Sequence, residues 1–304
     1  MTQKGLDSMT YMEFYVSRSP FFSGVQITFE RADYVFVGVP FDVTSTYRTG
    51  ARFAPLAIRE ASLNIETYSL RTGVDLEDLK IHDLGDLHVA SEADETLKRL
   101  ALVVKDILGA KKIPVVVGGE HTVTLGAIKG LNGKVAVVDF DAHLDLRDEY
   151  MGLKTSHTTF MRRINEQTRP EAIIEIGTRA VCKEELSYAT KNGITFFTTL
   201  QIRREGVKKT VDAIKKKLEG CEKIYLTIDM DVFDPAFAPA VQNPEPDGLS
   251  AEVLFELLHA LCDHCVIGLD VVEVAPHYDS GVTAALAAKT LFEALCSIEK
   301  SRKV

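Results

Sequence analysis

The 304-residue chain carries 35 Lys+Arg against 44 Asp+Glu, a net charge of −9, and has no basic block. Its length supports a large core, and its acidic balance argues against phosphate-backbone binding while suiting a small cationic substrate, so no nucleic-acid partner is expected. No apolar run approaches the roughly 18 to 20 residues of a membrane span, and the opening MTQKGLDSMTYMEFYVS lacks an unbroken apolar signal core, so a cytoplasmic protein with no membrane partner is expected.

Residues 1 to 30 are polar and aromatic without clear periodicity and are expected to form an N-terminal arm or an oligomer contact. Strands are expected at 34 to 39 (YVFVGV), 79 to 84, 113 to 117 (IPVVV), 135 to 138 (VAVV), 172 to 176, 194 to 197, 224 to 228 (IYLTI) and 266 to 272 (VIGLDVV). Helical periodicity begins at Pro55 and covers 92 to 108, 123 to 129, a stretch starting near Thr158, 205 to 218, a stretch after Ser250, and 280 to 299. Strands alternating with helices predict one parallel three-layer α/β domain over 1–304. The five cysteines (182, 221, 262, 265 and 296) are odd in number and sit in apolar context, which suits a reducing compartment. The CxxC at 262–265 has no second pair and reads as structural thiols.

Chemistry-bearing residues gather where strands end, which is where parallel α/β sheets bind ligands. After 135 to 138 come Asp141, His143 and Asp145, and period-two spacing in an extended segment points all three one way. After 113 to 117 come two glycines and His121; after 224 to 228 come Asp229 and Asp231. Four carboxylates and two imidazoles exceed the roughly four ligands of one zinc site and suit two divalent ions. Oxygen-rich ligation favours Mn²⁺, with Zn²⁺, Co²⁺ and Fe²⁺ as alternatives, and a water held there ionises near neutrality. His82, His88, His259, His264 and His277 read as structural or surface residues.

The segments GVPFD (38 to 42), GARFAPLAIR (50 to 59), GGEHTVTLG (118 to 126), VVDFDAHLDLR (137 to 147), IDMDVFDPAFAPA (228 to 240) and DVVEVAPHYD (270 to 279) resemble the arginase/agmatinase ureohydrolase family, in family order. The resemblance implies an arginase-type fold with a central, mostly parallel sheet of about eight strands. It also implies a binuclear manganese centre that hydrolyses a guanidino compound to urea and an amine, in a trimer or hexamer. By the same resemblance one metal is held by His121, Asp141, Asp145 and Asp229, and the other by Asp141, His143, Asp229 and Asp231. Glu273 anchors the guanidinium, Asp145 passes a proton to the departing amine, and His157 exchanges protons with solvent. Three features depart from the family pattern: Thr158 follows His157 in place of Gly, Glu120 replaces an Asp, and the 240 to 248 loop reads AVQNPEPDG.

The loop after DAHLD lacks the Asn and Ser that recognise arginine, whereas Asp148 or Glu149 would attract a terminal ammonium. Agmatine is therefore the expected substrate, with aminopropyl-agmatine next. Arginine, guanidinobutyrate and formiminoglutamate remain alternatives, Arg147 and Lys154 keeping the carboxylate-bearing ones open. A non-catalytic metal-binding assembly protein of the same fold is the reading from outside enzymology.

Overall fold

Runs of Val, Ile and Ala too apolar to leave either face in water form the middle of the molecule. The computed structural model describes residues 10–17 and 20–303. In chain order the elements are α1 (Tyr11–Tyr15), β1 (Val16–Ser17), β2 (Tyr34–Gly38), α2 (Ala54–Ser62), β3 (Tyr68–Ser69), β4 (Val74–Asp75), β5 (Ile81–Leu87) and α3 (Ala93–Gly109). Next come β6 (Ile113–Val117), α4 (Val123–Lys129), β7 (Ala136–Phe140), α5 (Phe160–Thr168), β8 (Ala172–Thr178), α6 (Lys183–Asn192) and β9 (Thr195–Thr198). The chain finishes with α7 (Thr199–Glu205), α8 (Val207–Lys217), β10 (Ile224–Asp229), α9 (Ala251–Leu261), β11 (Val266–Val272) and α10 (Val282–Arg302).

The main sheet has nine strands in the order β1-β5-β2-β6-β11-β10-β7-β8-β9. Eight are mutually parallel, as expected, and the two-residue β1 joins β5 antiparallel at the edge. Alternate residues of each strand feed two separate cores. Phe36, Val115, Val138, Leu226 and Leu269 pack on one face, and Val35, Val37, Val116, Val137 and Tyr225 on the other. Each buried Val, Leu or Ile contributes roughly 1.5–3 kcal/mol. Arg59 of α2, buried among these apolar groups, makes a two-pronged ion pair with Asp83 of β5 at 2.8 and 2.9 Å and also bonds Asp86. The pair locks α2 to the edge of the sheet.

Three details go beyond the expectations. The described part of the first thirty residues packs onto the domain: the Tyr11 N–H donates to Asp106 at 2.7 Å, and Phe22 is fully buried, stacked on Phe36 at 4.4 Å. Tyr11, Phe14 and Phe21 stay on the surface, so Phe22 is the aromatic side chain that anchors this segment in the core. The helix expected over 205 to 218 is α8, and a further helix, α7, precedes it, set apart by Gly206 at φ +81° and ψ 157°. Helix α6 went unread because its sequence, KEELSYATKN, carries almost no apolar stripe; among its residues only Glu185 and Ala189 are buried.

Candidate active site

Sheet order brings β6, β11, β10 and β7 side by side, all parallel, so their carboxyl ends open on one cleft. Gly118 (φ +57°) and Gly119 (φ +114°) turn the chain leaving β6. A Cβ on Gly119 would lie 2.5 Å from the Val39 carbonyl oxygen, so no other residue fits this turn. The turn delivers His121 into the cleft, with its ring 4.1 Å from that of Phe160.

Beyond β7 the chain bends rather than staying extended, contrary to the period-two expectation. Asp141 Oδ1 accepts the His143 N–H at 2.6 Å, and Asp145 takes φ +48°. Asx turns of this kind compete with a strand by satisfying the backbone locally. Asp229 repeats the device beyond β10, accepting the Asp231 N–H at 2.7 Å. The side chains still converge, through turns instead of a strand face.

Two groups able to hold a cation result, His121–Asp141–Asp229 and Asp141–His143–Asp231, sharing Asp141. His121 Nδ1 lies 3.1 Å from both Asp141 Oδ2 and Asp229 Oδ2, and His143 Nδ1 lies 3.1 Å from Asp231 Oδ2. Asp145 Oδ2 stands beside the first group, 3.8 Å from His121 Nδ1. Electrostatics express the same demand for positive charge. Burial works against both imidazolium forms, yet Asp139, Asp141 and Asp229 raise His121, and Asp231 and Asp141 raise His143, well above the ordinary histidine value. Burial would raise Asp141, but His121 and His143 outweigh it and hold it below the usual range.

His121 Nδ1 and Asp141 Oδ2 are buried without hydrogen-bond partners, the state expected of ligand atoms facing a cation. The donor set, imidazole with carboxylate oxygen, suits a pair of divalent ions. Behind the cluster, His121 Nε2 lies 2.9 Å from Thr227 Oγ1, which donates to Asp270 Oδ1 at 2.5 Å. Tyr225 and Thr124 also donate to Asp270 Oδ2, at 2.8 and 2.9 Å. Such a chain orients a ligating ring. Asp139 and Glu175, cross-strand neighbours in the same row, are fully buried.

Glu273 follows β11 in a left-handed conformation, φ +69°. Its Oε1 accepts the His121 N–H at 2.6 Å, while its Oε2 is buried without a partner. Burial pushes its carboxyl well above the usual range, a state that a cationic partner would reverse. A non-glycine residue held at such a φ stores strain that the surroundings must impose.

His157 hangs between two hydroxyls, with Nδ1 3.2 Å from Thr44 Oγ1 and Nε2 3.1 Å from Thr46 Oγ1. Burial, then repulsion from His143 and His121, holds it down to about 4. Glu120 lies behind, receiving the Thr44 N–H and the Thr44 and Thr122 hydroxyls at 2.6–2.7 Å.

A cavity of about 480 Å³ opens over the cluster, lined among others by Thr46, His157, Thr158, Arg147, Glu245 and Glu273. Asp148 and Glu149 are not in its lining. Asp148 is pulled away by Arg163 at 2.8 Å and Arg162 at 3.3 Å, and Glu149 is exposed. The acid at this mouth is Glu245, from the 240 to 248 loop, 3.9 Å from His143 Nε2. Arg179 fastens that loop by donating to the backbone carbonyls of Glu245 and Pro246 at 2.8 and 3.0 Å while also donating to that of Asp231 at 2.6 Å. Glu245, Thr44 and Thr46 escaped the sequence reading, although Glu245 lay within a loop already singled out. Asp139 and Asp270, charged residues inside apolar strands, were also visible as anomalies. All five cysteines are free. His82 and His259 hydrogen-bond to protein groups, as expected of structural histidines.

Carboxylates and imidazoles crowded at strand ends, with a further acid left unpaired beside them, are the equipment of a hydrolase rather than of a carrier. The chain belongs to the arginase family, whose model matches residues 32–297. Members are hydrolases acting on guanidino C–N bonds and generally depend on two metal ions. An N(1)-aminopropylagmatine ureohydrolase of Thermococcus kodakarensis is 38% identical over 275 residues, covering 89% of this chain and 92% of that one. An agmatinase of Pyrococcus horikoshii is 36% identical over 264 residues, covering 86% and 90%. The crystal structure of agmatine ureohydrolase of Thermoplasma volcanium superposes with a TM-score of 0.87 at 34% identity, covering 99% of both chains. Among the described residues no helix is long and apolar enough to cross a membrane.

Proposed function

We propose that the cleft hydrolyses agmatine to putrescine and urea, with aminopropyl-agmatine as the nearest alternative. The observation that carries this reading is Glu273 Oε2, a buried carboxylate oxygen without a partner beside two cation groups that share Asp141. His121, Asp141, Asp145 and Asp229 would hold one Mn²⁺, and Asp141, His143, Asp229 and Asp231 the other. Bound there, the pair supplies a water activated for attack at neutral pH. Glu273 binds the guanidinium by charge-assisted hydrogen bonds and turns its central carbon toward the cluster. Asp145 carries a proton to the departing amine nitrogen, whose bond to carbon breaks as urea forms. His157, neutral at working pH, exchanges protons with solvent.

The tail-binding role first read onto Asp148 and Glu149 passes to Glu245, a half-exposed acid of the cavity lining. A second reading, 4-guanidinobutyrate, rests on Arg147, which lines the same cavity and stacks on Tyr150 at 5.0 Å without a carboxylate partner among the described residues. We further read the protein as a cytoplasmic homo-oligomer, on its free thiols and its family.

Urea release by the Mn²⁺-loaded protein from agmatine, aminopropyl-agmatine, 4-guanidinobutyrate and arginine in parallel tests the proposal. Preference for either polyamine precursor, lost selectively in Glu245→Gln, is the expected result. Preference for guanidinobutyrate, abolished in Arg147→Met, would overturn it in favour of the second reading.

A further inference from the structure

The segment from Asp42 to Thr49, DVTSTYRT, folds over the cleft and brings two hydroxyls to opposite nitrogens of one imidazole. We propose that Thr44 and Thr46 are positioning residues that hold His157 as the Nδ1–H tautomer and leave its Nε2 lone pair on the cavity side. The proposal rests on the reading of His157 as the proton carrier.

The assignment follows from counting protons. Thr44 Oγ1 donates its single hydrogen to Glu120 Oε1 at 2.6 Å, and the Thr44 backbone N–H donates to Glu120 Oε2 at 2.7 Å. Glu120 also receives the Thr122 hydroxyl at 2.6 Å; burial raises its carboxyl, but the three converging donors favour the ionised form, which has no hydrogen to give back. Thr44 Oγ1 is left with lone pairs only. It accepts the His157 backbone N–H at 3.1 Å and lies 3.2 Å from His157 Nδ1, which can complete that bond only by carrying the ring proton. A neutral imidazole has one N–H, so Nε2 is bare. Thr46 Oγ1, 3.1 Å from Nε2, must then donate to it, and Thr46 lines the cavity.

The consequence is directional. A proton arriving from the cavity is taken by the Thr46 hydroxyl oxygen as that hydroxyl passes its own hydrogen to Nε2, and it leaves by the same path reversed, while the Nδ1–H bond to Thr44 persists throughout. The opposite tautomer would present a donor to the cavity and leave Thr44 Oγ1 facing a lone pair. Burial favours the neutral ring in which this choice matters.

The test is ¹⁵N magic-angle-spinning spectroscopy of ¹⁵N-histidine-labelled protein loaded with diamagnetic Zn²⁺, His157 being assigned by difference against His157→Asn. Expected is protonated Nδ1 with unprotonated Nε2 in the parent and in Thr44→Ser. In Thr44→Val the ring should move to the other tautomer or a mixture, and in the Mn²⁺ enzyme kcat should fall about tenfold or more with KM little changed. An Nε2–H parent, or an unaltered tautomer in Thr44→Val, overturns the proposal. Should Thr44→Val not fold, the parent spectrum and that of Thr46→Val, in which Nε2 loses its donor and its resonance must move, still decide it. Full kcat in His157→Asn would instead sink the proton-carrier reading, leaving the spectroscopic assignment to stand or fall separately.

Discussion

Replacing Glu273 by Gln changes one charge and almost no volume, which makes it the sharpest probe of the cleft. In the parent, Oε1 is committed to the His121 N–H at 2.6 Å and Oε2 is buried and unpaired. Gln must keep its carbonyl on His121, so its NH₂ then points where Oε2 was, toward the guanidinium. Donor would face donor, in a site that Glu273 leaves only 2% exposed. Removing one partner of a buried charged hydrogen-bonded pair costs about 2–5 kcal/mol, or roughly 30- to 4,000-fold in kcat/KM. Stability should hold or rise, because burial disfavours the parent carboxylate. The assay is steady-state urea release from agmatine, with thermal melting as the folding control. A folded Glu273→Gln protein within threefold of the parent kcat/KM would refute the argument that this carboxylate anchors the guanidinium.

Other substitutions probe the frame. Arg59→Leu should strand Asp83 in the core and cost about 3–5 kcal/mol, lowering Tm by roughly 5–8 °C while sparing the kinetics of the enzyme that remains folded. An unchanged Tm would mean that the ion pair contributes nothing. Gly119→Ala forces a Cβ to 2.5 Å from the Val39 oxygen at φ +114° and should cost about 2–5 kcal/mol; calorimetry with unchanged stability would show the turn to be adaptable. Asp231→Asn should reduce bound metal from two equivalents toward one, read by elemental analysis after dialysis, and full occupancy would count against a two-ion site. His157 is held down to about 4, so the unfolded chain binds its proton first as pH falls. This histidine therefore costs stability progressively from about pH 6.5 down to about 4, by up to roughly 3 kcal/mol, and His157→Asn should flatten the denaturant-derived pH profile there. An identical profile in the variant would rule the effect out.

The eight parallel strands and both acidic bursts were legible because each is a local pattern. A Val-rich run has few ways to be buried, and alternating Asp and His at its end has little structural use. What the chain in one dimension could not supply was adjacency. His121, Asp141, Asp229 and Glu273 stand at or just beyond the ends of four different strands that the sheet order sets side by side. The same limit explains Asp148, which reads as an available acid until α5 brings Arg162 and Arg163 against it. It also explains Glu245, carried into the cavity by a loop that Arg179 pins to the carbonyls beside Asp231. Composition and periodicity determine which residues must be buried and where a strand must stop. Only packing decides which strand ends share a cleft and which acids are neutralised before a substrate arrives, because those outcomes depend on distances between residues up to 152 positions apart, such as His121 and Glu273.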